Sequence, residues 1–316
     1  MLGDLQMNEK LLKGASPYLY VLFPLVVMTA TVLVPMIDTI RMSFYQVSFI
    51  SPGMDNPFVG LDNYRQVLGG SQFWGALKVT VIWTFFSVLF QFLIGFYAAL
   101  LLHARQGMIS TMAKSLFLIP WMLPGALAAI IWKLMYDGTN GLLNHLLTKA
   151  HLISAPQTWL SDPATVLGAA IAVNVWRGVP FFIIMIYGGL QTISKDIYEA
   201  ARIDGANAVQ RFIHLTLPEL KPLLVTLLIY QAVGAYNYID IITALTGGGP
   251  ANHTMLLTLY AWQQAFAANN VSIAATISTL SCLSLVLIGL TCYLFAFFVR
   301  KVYRFLNSRP YPINKG

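Results

Sequence analysis

Residues 79–104 read VTVIWTFFSVLFQFLIGFYAALLLHA, a run that contains no Asp, Glu, Lys or Arg. A helix needs about 20 apolar residues to cross the roughly 30 Å hydrocarbon core of a bilayer. Two more charge-free runs, residues 14–37 and 115–132, are of similar length. Each of the three runs therefore predicts a transmembrane helix.

Three further apolar stretches predict spans four to six. The fourth contains Arg177 as its only charge, and the fifth has Asp240 near its far end. Prolines inside several spans indicate kinked helices that pack on one another, because neighbouring helices can satisfy the carbonyls that a proline frees. We therefore expect an all-α integral membrane protein with six transmembrane helices. Spans four to six cover about 164–190, 222–245 and 272–299.

The composition agrees with a membrane protein. Hydrophobic residues make up 57% of the chain and charged residues only 10%, whereas about 25% of an average soluble domain is charged. The two cysteines, Cys282 and Cys292, lie in one apolar run. This placement argues against a disulfide framework and against a zinc site.

The positions of the basic residues predict the orientation. With both termini in the cytoplasm, most Lys and Arg side chains fall inside, and the outer loops keep only Arg41, Arg65 and Lys149. This distribution satisfies the positive-inside rule. The formal net charge of +7 therefore reports topology, and it does not indicate a nucleic-acid partner.

The same orientation divides the chain into three parts. We expect a cytoplasmic N-terminus over 1–15, a permease-like membrane domain over 16–300 and a basic cytoplasmic tail over 301–316. The loop between spans four and five, residues 191–221, lies on the cytoplasmic side in this arrangement.

The sharpest signal in the sequence lies in this cytoplasmic loop. Residues 194–204 read SKDIYEAARID and place Ile197, Ala200, Ala201 and Asp204 on one helix face. Ser194 suits the N-cap, and Gly205 can end the helix in a left-handed conformation. A second short helix, with Val209, Phe212 and Ile213 on one face, is expected to end before Pro218. From the residues alone, the pair is either an amphipathic element at the membrane interface or a docking knob that presents Glu199.

The loop resembles a known motif. Glu199-Ala200-Ala201, Asp204-Gly205 and Leu217-Pro218 are similar to the EAA loop of ABC-importer permeases. The resemblance extends to three other stretches, FVGLDNY at 58–64, WRGVP at 176–180 and LTGGGP at 245–250. Together these stretches resemble the MalF-type permease subunit of carbohydrate ABC importers, and the similarity spans nearly the whole chain.

The resemblance implies a fold, a function and a set of partners. It implies the type I ABC importer permease fold and a role as the membrane-spanning subunit of an ATP-driven importer of mono- or oligosaccharides. The expected partners are a second, MalG-like permease, an ABC ATPase dimer and an extracytoplasmic solute-binding protein, in a bacterial cytoplasmic membrane. The residues expected to couple the chain to the ATPase are Glu199, Ala200, Ala201, Asp204, Gly205, Phe212, Leu217 and Pro218.

The motifs for chemistry are missing from the sequence. It contains no G-x-x-x-x-G-K-[ST] phosphate loop, and no zinc-protease or serine-hydrolase motif. We therefore expect no enzymatic activity and no cofactor in this chain, with ATP and Mg bound by the partner ATPase subunit.

Polar residues inside spans are the candidates for a solute path, since ionisable side chains are costly there. For Arg177 two interpretations stay open, a clamp on carbonyls freed near Pro180 or a contact with the solute. Tyr236 and Asn237 are expected to border one cavity, with Tyr230 on a different side of the helix. An interfacial aromatic belt is the alternative for the tyrosines. The candidate path residues are Asn174, Arg177, Tyr187, Gln231, Tyr236, Asn237, Tyr238 and Asp240.

Two other functions remain open from the sequence. The chain could be an ABC permease for a solute other than a sugar, or a stand-alone secondary transporter. A membrane enzyme is a more distant alternative. The absence of a series of carboxylates within the spans argues against a proton-coupled carrier.

Overall fold

The computed structural model describes residues 20–47, 56–105 and 107–307. Within these ranges the protein is helical, and the only β pairing is an isolated bridge between Tyr45 and Phe58. The predicted all-α class is confirmed. In chain order the helices are α1 (Tyr20–Met42), α2 (Asp62–Gly69), α3 (Ser71–Ala104), α4 (Met108–Met122), α5 (Gly125–Met135), α6 (Leu142–Lys149), α7 (Val166–Thr192), α8 (Lys195–Ile203), α9 (Ala208–Tyr236), α10 (Asp240–Leu245), α11 (Leu257–Trp262) and α12 (Val271–Asn307).

Five of these helices, α1, α3, α7, α9 and α12, are long and apolar enough to cross a membrane. The third predicted span instead forms a bent pair, since Lys114–Met122 and Gly125–Met135 meet at 100°. Leu123 and Pro124 are extended at the break, with ψ of 132° and 142°. Proline has no N–H and disfavours a helical conformation in the residue before it, so helix α4 stops at Met122.

The boundaries of the fifth span differ from the prediction at both ends. The prediction of a separate short helix that ends before Pro218 is wrong, because α9 continues through this proline to Tyr236. A π-helical turn at Phe212–Thr216 precedes the proline, and the Leu217 N–H bonds the carbonyl of Phe212. The wider turn accommodates a ring that an ordinary α-turn would exclude.

At its other end the fifth span is shorter than expected. The sequence predicts a helix to Leu245, but α9 ends at Tyr236 and residues 237–239 separate it from α10. Apolar residues resume at Ile241 after Asn237 and Asp240, so hydropathy averaged over a whole span does not reveal the break.

The described residues fall into two compact units. The first contains those of Met1–Gly69 and Ala261–Cys282, and the second those of Gly70–Tyr260 and Leu283–Gly316.

In the first unit, the FVGLDNY stretch folds back on the end of α1. The amide of Asn63 donates to the carbonyls of Ser43, at 2.8 Å, and Tyr45, at 3.1 Å. The Tyr64 hydroxyl lies 2.6 Å from the Ser43 hydroxyl. Because the last carbonyls of a helix lack partners within the helix, the Asn63 amide supplies a donor to the carbonyl of Ser43, the residue that ends α1. This part of the motif therefore has a structural role.

In the second unit, α7 packs along α3 at positions where side chains are small. A Cβ on Gly95 would lie 3.2 Å from the Val179 carbonyl and would overlap Phe182. Small residues at a crossing let two membrane helices approach closely, and packing of this kind drives helix association in lipid. Around the crossing Phe182 and Ile186 are fully buried.

The LTGGGP stretch forms a sharp turn after α10. Gly247 and Gly248 have φ angles of +63° and +95°, which most other residues avoid. The Thr246 and Thr254 hydroxyls lie 2.7 Å apart and close the turn.

We expect Asn63→Leu to destabilise the first unit. The substitution removes two donors and leaves the Ser43 carbonyl without its amide partner, which costs about 1–3 kcal/mol for a buried group. The measurement is the thermal unfolding midpoint of the purified protein in detergent.

Arg65→Met is the matched control for Asn63→Leu, because Arg65 lies on the same helix and makes only an exposed ion pair with Asp62 at 2.9 Å. Exposed pairs of this kind contribute about 0–1 kcal/mol. Equal midpoints for the two variants would contradict the structural role of Asn63.

Candidate functional site

A cavity of about 190 Å³ lies between α4, α7, α9 and the break that follows α9. Its wall combines hydrogen-bonding side chains with aromatic rings, and two of its backbone positions are glycine. The lining residues are Trp121, Asn174, Arg177, Gly178, Phe181, Tyr230, Gln231, Gly234, Ala235 and Tyr238.

Four of the eight candidate path residues line this cavity, namely Asn174, Arg177, Gln231 and Tyr238. Asn174 and Arg177 lie on α7, whereas Gln231 lies on α9 and Tyr238 in the break that follows it. The amide of Asn174 makes no hydrogen bond with any residue that the structure describes, although the side chain is buried. It is therefore available to a solute in the cavity.

The structure places the other four candidates elsewhere. Tyr187 accepts a hydrogen bond from the Lys114 ammonium at 2.6 Å. The Tyr236 hydroxyl lies 2.6 Å from that of Ser284, and the ring is buried. The remaining two, Asn237 and Asp240, are exposed and lie outside the lining of the cavity.

The position of Tyr230 differs from the one predicted from the sequence. It was expected on a different side of the helix, but it lines the cavity and its ring lies 5.6 Å from that of Phe181. The face of α9 at the cavity contains Gln231, Gly234 and Ala235, which is the i, i+3, i+4 spacing, and Tyr238 follows in the break. The sequence argument counted back to Tyr230 from Tyr236, which does not line the cavity.

A buried amide that the sequence argument did not select supports the cavity wall. Gln91 on α3 is fully buried, and its amide donates to the carbonyl of Asn174 at 2.9 Å. The Gln231 amide in turn donates to the Gln91 side-chain oxygen at 2.8 Å. Gln91 fits against Gly178, where a Cβ would overlap it. The signal in the sequence was a single amide in the middle of the run 79–104.

Of the two contacts that the sequence left open for Arg177, the structure shows the one to a freed carbonyl. Its Nε donates to the carbonyl of Leu123 at 3.0 Å, so it does clamp a freed carbonyl. The carbonyl belongs to the α4–α5 break, and not to the turn near Pro180. The guanidinium carbon also lies 5.5 Å from the centre of the Tyr238 ring. Arg177 thus contacts two helix breaks at the edge of the cavity.

The EAA-like loop forms a second candidate site. Ser194 caps α8 by accepting from the Asp196 N–H at 3.2 Å, and Gly205 follows the helix with φ of +79°. Both features match the prediction. Asn207 and Gln210 then form a capping box that begins α9, a feature that the sequence argument missed although N-x-x-Q is a recognisable pattern.

The turn between α8 and α9 encloses a groove of about 390 Å³. Of the predicted coupling residues, Ala201, Asp204 and Gly205 line this groove, while Glu199 and Ala200 are exposed beside it on α8. The complete lining is Ala201, Asp204, Gly205, Ala206, Gln210, Arg211, His214 and Leu215.

The last three predicted coupling residues lie on α9. Phe212 packs its ring 6.1 Å from that of Phe96, and it therefore anchors the loop to α3. Leu217 and Pro218 are exposed and continue the helix. The Tyr198 and Thr216 hydroxyls, 2.8 Å apart, connect α8 to α9.

Large apolar side chains on α8 and α9, close in sequence to the groove residues, are exposed. Ile203 is 87% exposed, Val209 64% and Ile213 50%.

Residues 91–302 match the family of binding-protein-dependent transport system inner membrane components. The matched segment includes both the cavity and the groove.

Curated relatives cover most of the chain. The trehalose/maltose transport system permease protein MalF of Thermococcus litoralis is 38% identical over 78% of this chain and 81% of its own length. The sulfoquinovosyl glycerol transport system permease protein SmoG of Agrobacterium fabrum is 32% identical over 75% of this chain and 76% of its own. The sn-glycerol-3-phosphate transport system permease protein UgpA of Pectobacterium atrosepticum is 30% identical over 82% and 86%.

Solved structures share the fold. A chain of a bacterial ABC transporter involved in the import of the acidic polysaccharide alginate aligns with a TM-score of 0.77 at 20% identity, covering 92% of this chain and 98% of that one. The alginate transporter in complex with its alginate pentasaccharide-bound periplasmic protein aligns with a TM-score of 0.74.

We expect Gly178→Ala to disrupt the wall of the cavity. The added methyl would overlap the fully buried Gln91 side chain and force it away from Asn174 and Gln231, at a cost of about 1–3 kcal/mol. Gly168→Ala on the same helix is the matched control, because nothing lies within 4 Å of a Cβ there. The measurement is thermal unfolding of the purified protein, and an unchanged midpoint for Gly178→Ala alongside the control would contradict the packing described here.

Proposed function

The chain belongs to the family of binding-protein-dependent transport system inner membrane components, and from this premise we propose that it is the permease subunit of an ATP-driven sugar importer. Members of this family are membrane transport components rather than enzymes. The proposal gives the chain two tasks, to form half of the path for the solute and to receive the ATPase at the groove.

The observation that supports a sugar is the chemistry of the cavity wall. Asn174 and Gln231 offer hydrogen-bonding groups, and Trp121 and Tyr230 offer ring faces. A sugar alternates hydroxyl groups with apolar C–H patches, so it matches a wall that is polar and aromatic at once. The names of the relatives, which include trehalose, maltose and sulfoquinovosyl glycerol carriers, favour the same class of solute.

The proposed complex contains four kinds of component. A second, MalG-like permease completes the path, an ABC ATPase dimer binds ATP and Mg, and an extracytoplasmic binding protein delivers the solute. The size of the cavity supports a second permease, since about 190 Å³ is below the 300–1,000 Å³ usual for a ligand site. We place the protein in the cytoplasmic membrane with both termini inside, the residues 16–300 forming the membrane domain.

We expect Asn174→Leu to impair transport of the sugar. The variant keeps a side chain of similar size but removes an amide with no partner among the described residues. The hydrogen bond that is lost is therefore one to the solute. An unmet hydrogen bond in a buried site costs about 1–3 kcal/mol, which raises the half-saturation concentration or lowers the rate by roughly 5- to 150-fold. The measurement is uptake by the complex reconstituted in proteoliposomes.

Gln191→Leu is the matched control for Asn174→Leu. It replaces an exposed amide on the same helix, far along α7 from the cavity. Wild-type kinetics for Asn174→Leu would remove the residue from the solute site. Uptake without ATP and without the ATPase would instead support a secondary transporter.

We expect Gly205→Val and Glu199→Lys to abolish coupling to the ATPase. A β-branched residue at φ of +79° is strained by roughly 1–2 kcal/mol, so the turn that shapes the groove would change. Replacement of the exposed Glu199 by lysine reverses the charge beside the groove. Both variants should lose uptake and ATPase association, while solute binding by the extracytoplasmic protein stays unchanged.

Co-purification of the ATPase with the membrane subunits is the direct measurement. Glu219→Lys serves as the charge control, because Glu219 is exposed on α9 and lies outside the groove lining. Normal association and uptake in both loop variants would exclude this surface as the docking site.

A further inference from the structure

Two helix breaks lie at or near the cavity, one next to the lining residue Trp121 and one that contains the lining residue Tyr238. One is the Leu123–Pro124 break between α4 and α5, and the other is the 237–239 break between α9 and α10. A break interrupts the helical hydrogen bonds, and each backbone group left without a partner in hydrocarbon costs several kcal/mol. The groups that form hydrogen bonds with the freed backbone at each break therefore determine how stable the break is.

Arg177 provides one such partner at the first break. Helix α4 stops before Leu123, and Pro124 has no N–H, so the Leu123 carbonyl lacks the donor that a continuing helix would supply. Arg177 Nε supplies it from α7 at 3.0 Å. A hydrogen bond from a charged donor is roughly twice as strong as a neutral one.

Arg177 also contacts the second break. Its guanidinium carbon lies 5.5 Å from the centre of the Tyr238 ring, within the roughly 6 Å range of a cation–π interaction. The Tyr238 hydroxyl is buried and has no hydrogen-bond partner within the described part of the chain. It lies against Gly125, where a Cβ would overlap it. The ring is thus held between Arg177 and the first turn of α5.

The charge of Arg177 has no carboxylate partner among the residues described. A carbonyl at one break and a ring at the other are its only protein contacts there that stabilise a cation. Loss of either contact leaves a half-buried charge less well solvated, so each break gains stability from the other through this side chain.

We propose that Arg177 is a positioning residue that makes the α4–α5 break and the α9–α10 break open and close as one unit. The inference rests on the proposed function in one respect, namely that the cavity lined by Arg177 must change its access during transport. Arg177 then determines that the two walls of the cavity move together.

Hydrogen–deuterium exchange of the purified permease complex tests this coupling. The readouts are the amides of residues 125–131, at the start of α5, and of residues 237–243, at the second break. Arg177→Met keeps the length of the side chain and removes both contacts, and we expect exchange to accelerate at least fivefold in both segments. Arg177→Lys keeps the charge without the planar fork, and should give an intermediate acceleration.

Tyr238→Leu provides the decisive cross-test. It alters only the second break, yet coupling predicts at least threefold faster exchange in residues 125–131 as well. Tyr238→Phe is the matched control, because it keeps the ring and removes an oxygen without a partner, so exchange in 125–131 should match the wild type. Acceleration confined to residues 237–243 in Tyr238→Leu would overturn the proposal, even if Arg177→Met fails to assemble.

Uptake separates a positioning role from a solute contact. We expect Arg177→Met to lower the maximal rate at least tenfold and to change the half-saturation concentration less than threefold, with partial recovery in Arg177→Lys. A raised half-saturation concentration with a normal maximal rate would make Arg177 a solute contact and overturn the proposal. If the wild-type complex carries no sugar, the proposed function fails, whereas the exchange measurements still decide whether the breaks are coupled.

Discussion

Backbone hydrogen bonding in an apolar environment is the constraint on which the rest of this structure depends. A lipid-exposed break in a helix leaves polar groups that hydrocarbon does not satisfy, so irregular backbone is tolerated only where protein or a cavity receives it. The chain breaks two of its apolar segments, at Leu123–Pro124 and at residues 237–239. Both breaks contact Arg177, one through the Leu123 carbonyl and the other through the Tyr238 ring, and Arg177 itself lines the cavity.

Close helix packing makes that wall possible. Gly95 and Gly178 allow α3 and α7 to approach until neither position has room for a Cβ. The Gln91 amide fills the notch at Gly178 and bonds both the Asn174 backbone and Gln231. Since every membrane helix can be covered equally well by lipid tails, close packing and buried hydrogen bonds specify which helices associate.

Helix α9 connects the two candidate sites of the second unit. It begins at the groove with the capping box of Asn207 and Gln210 and reaches the cavity at Gln231, a distance of roughly 35 Å along a helix with a rise of 1.5 Å per residue. The π-helical turn at Phe212–Thr216 keeps it continuous through Pro218. An uninterrupted helix can transmit a displacement at the groove to the cavity wall.

The sequence by itself determined the class of the protein, most of its spans and the local form of the EAA-like loop. Charge-free runs report the thickness of the bilayer, and the cap at Ser194 and the turn at Gly205 depend only on adjacent residues. The face of α9 at the cavity, the break after Tyr236 and the role of Gln91 came only from the tertiary structure. Hydropathy is the same on both sides of the break, and the partners of Arg177, Gln91 and Tyr238 lie on helices distant in sequence. A periodic pattern fixes a helix but not which face meets which neighbour, because that choice depends on small residues and hydrogen bonds contributed by other helices.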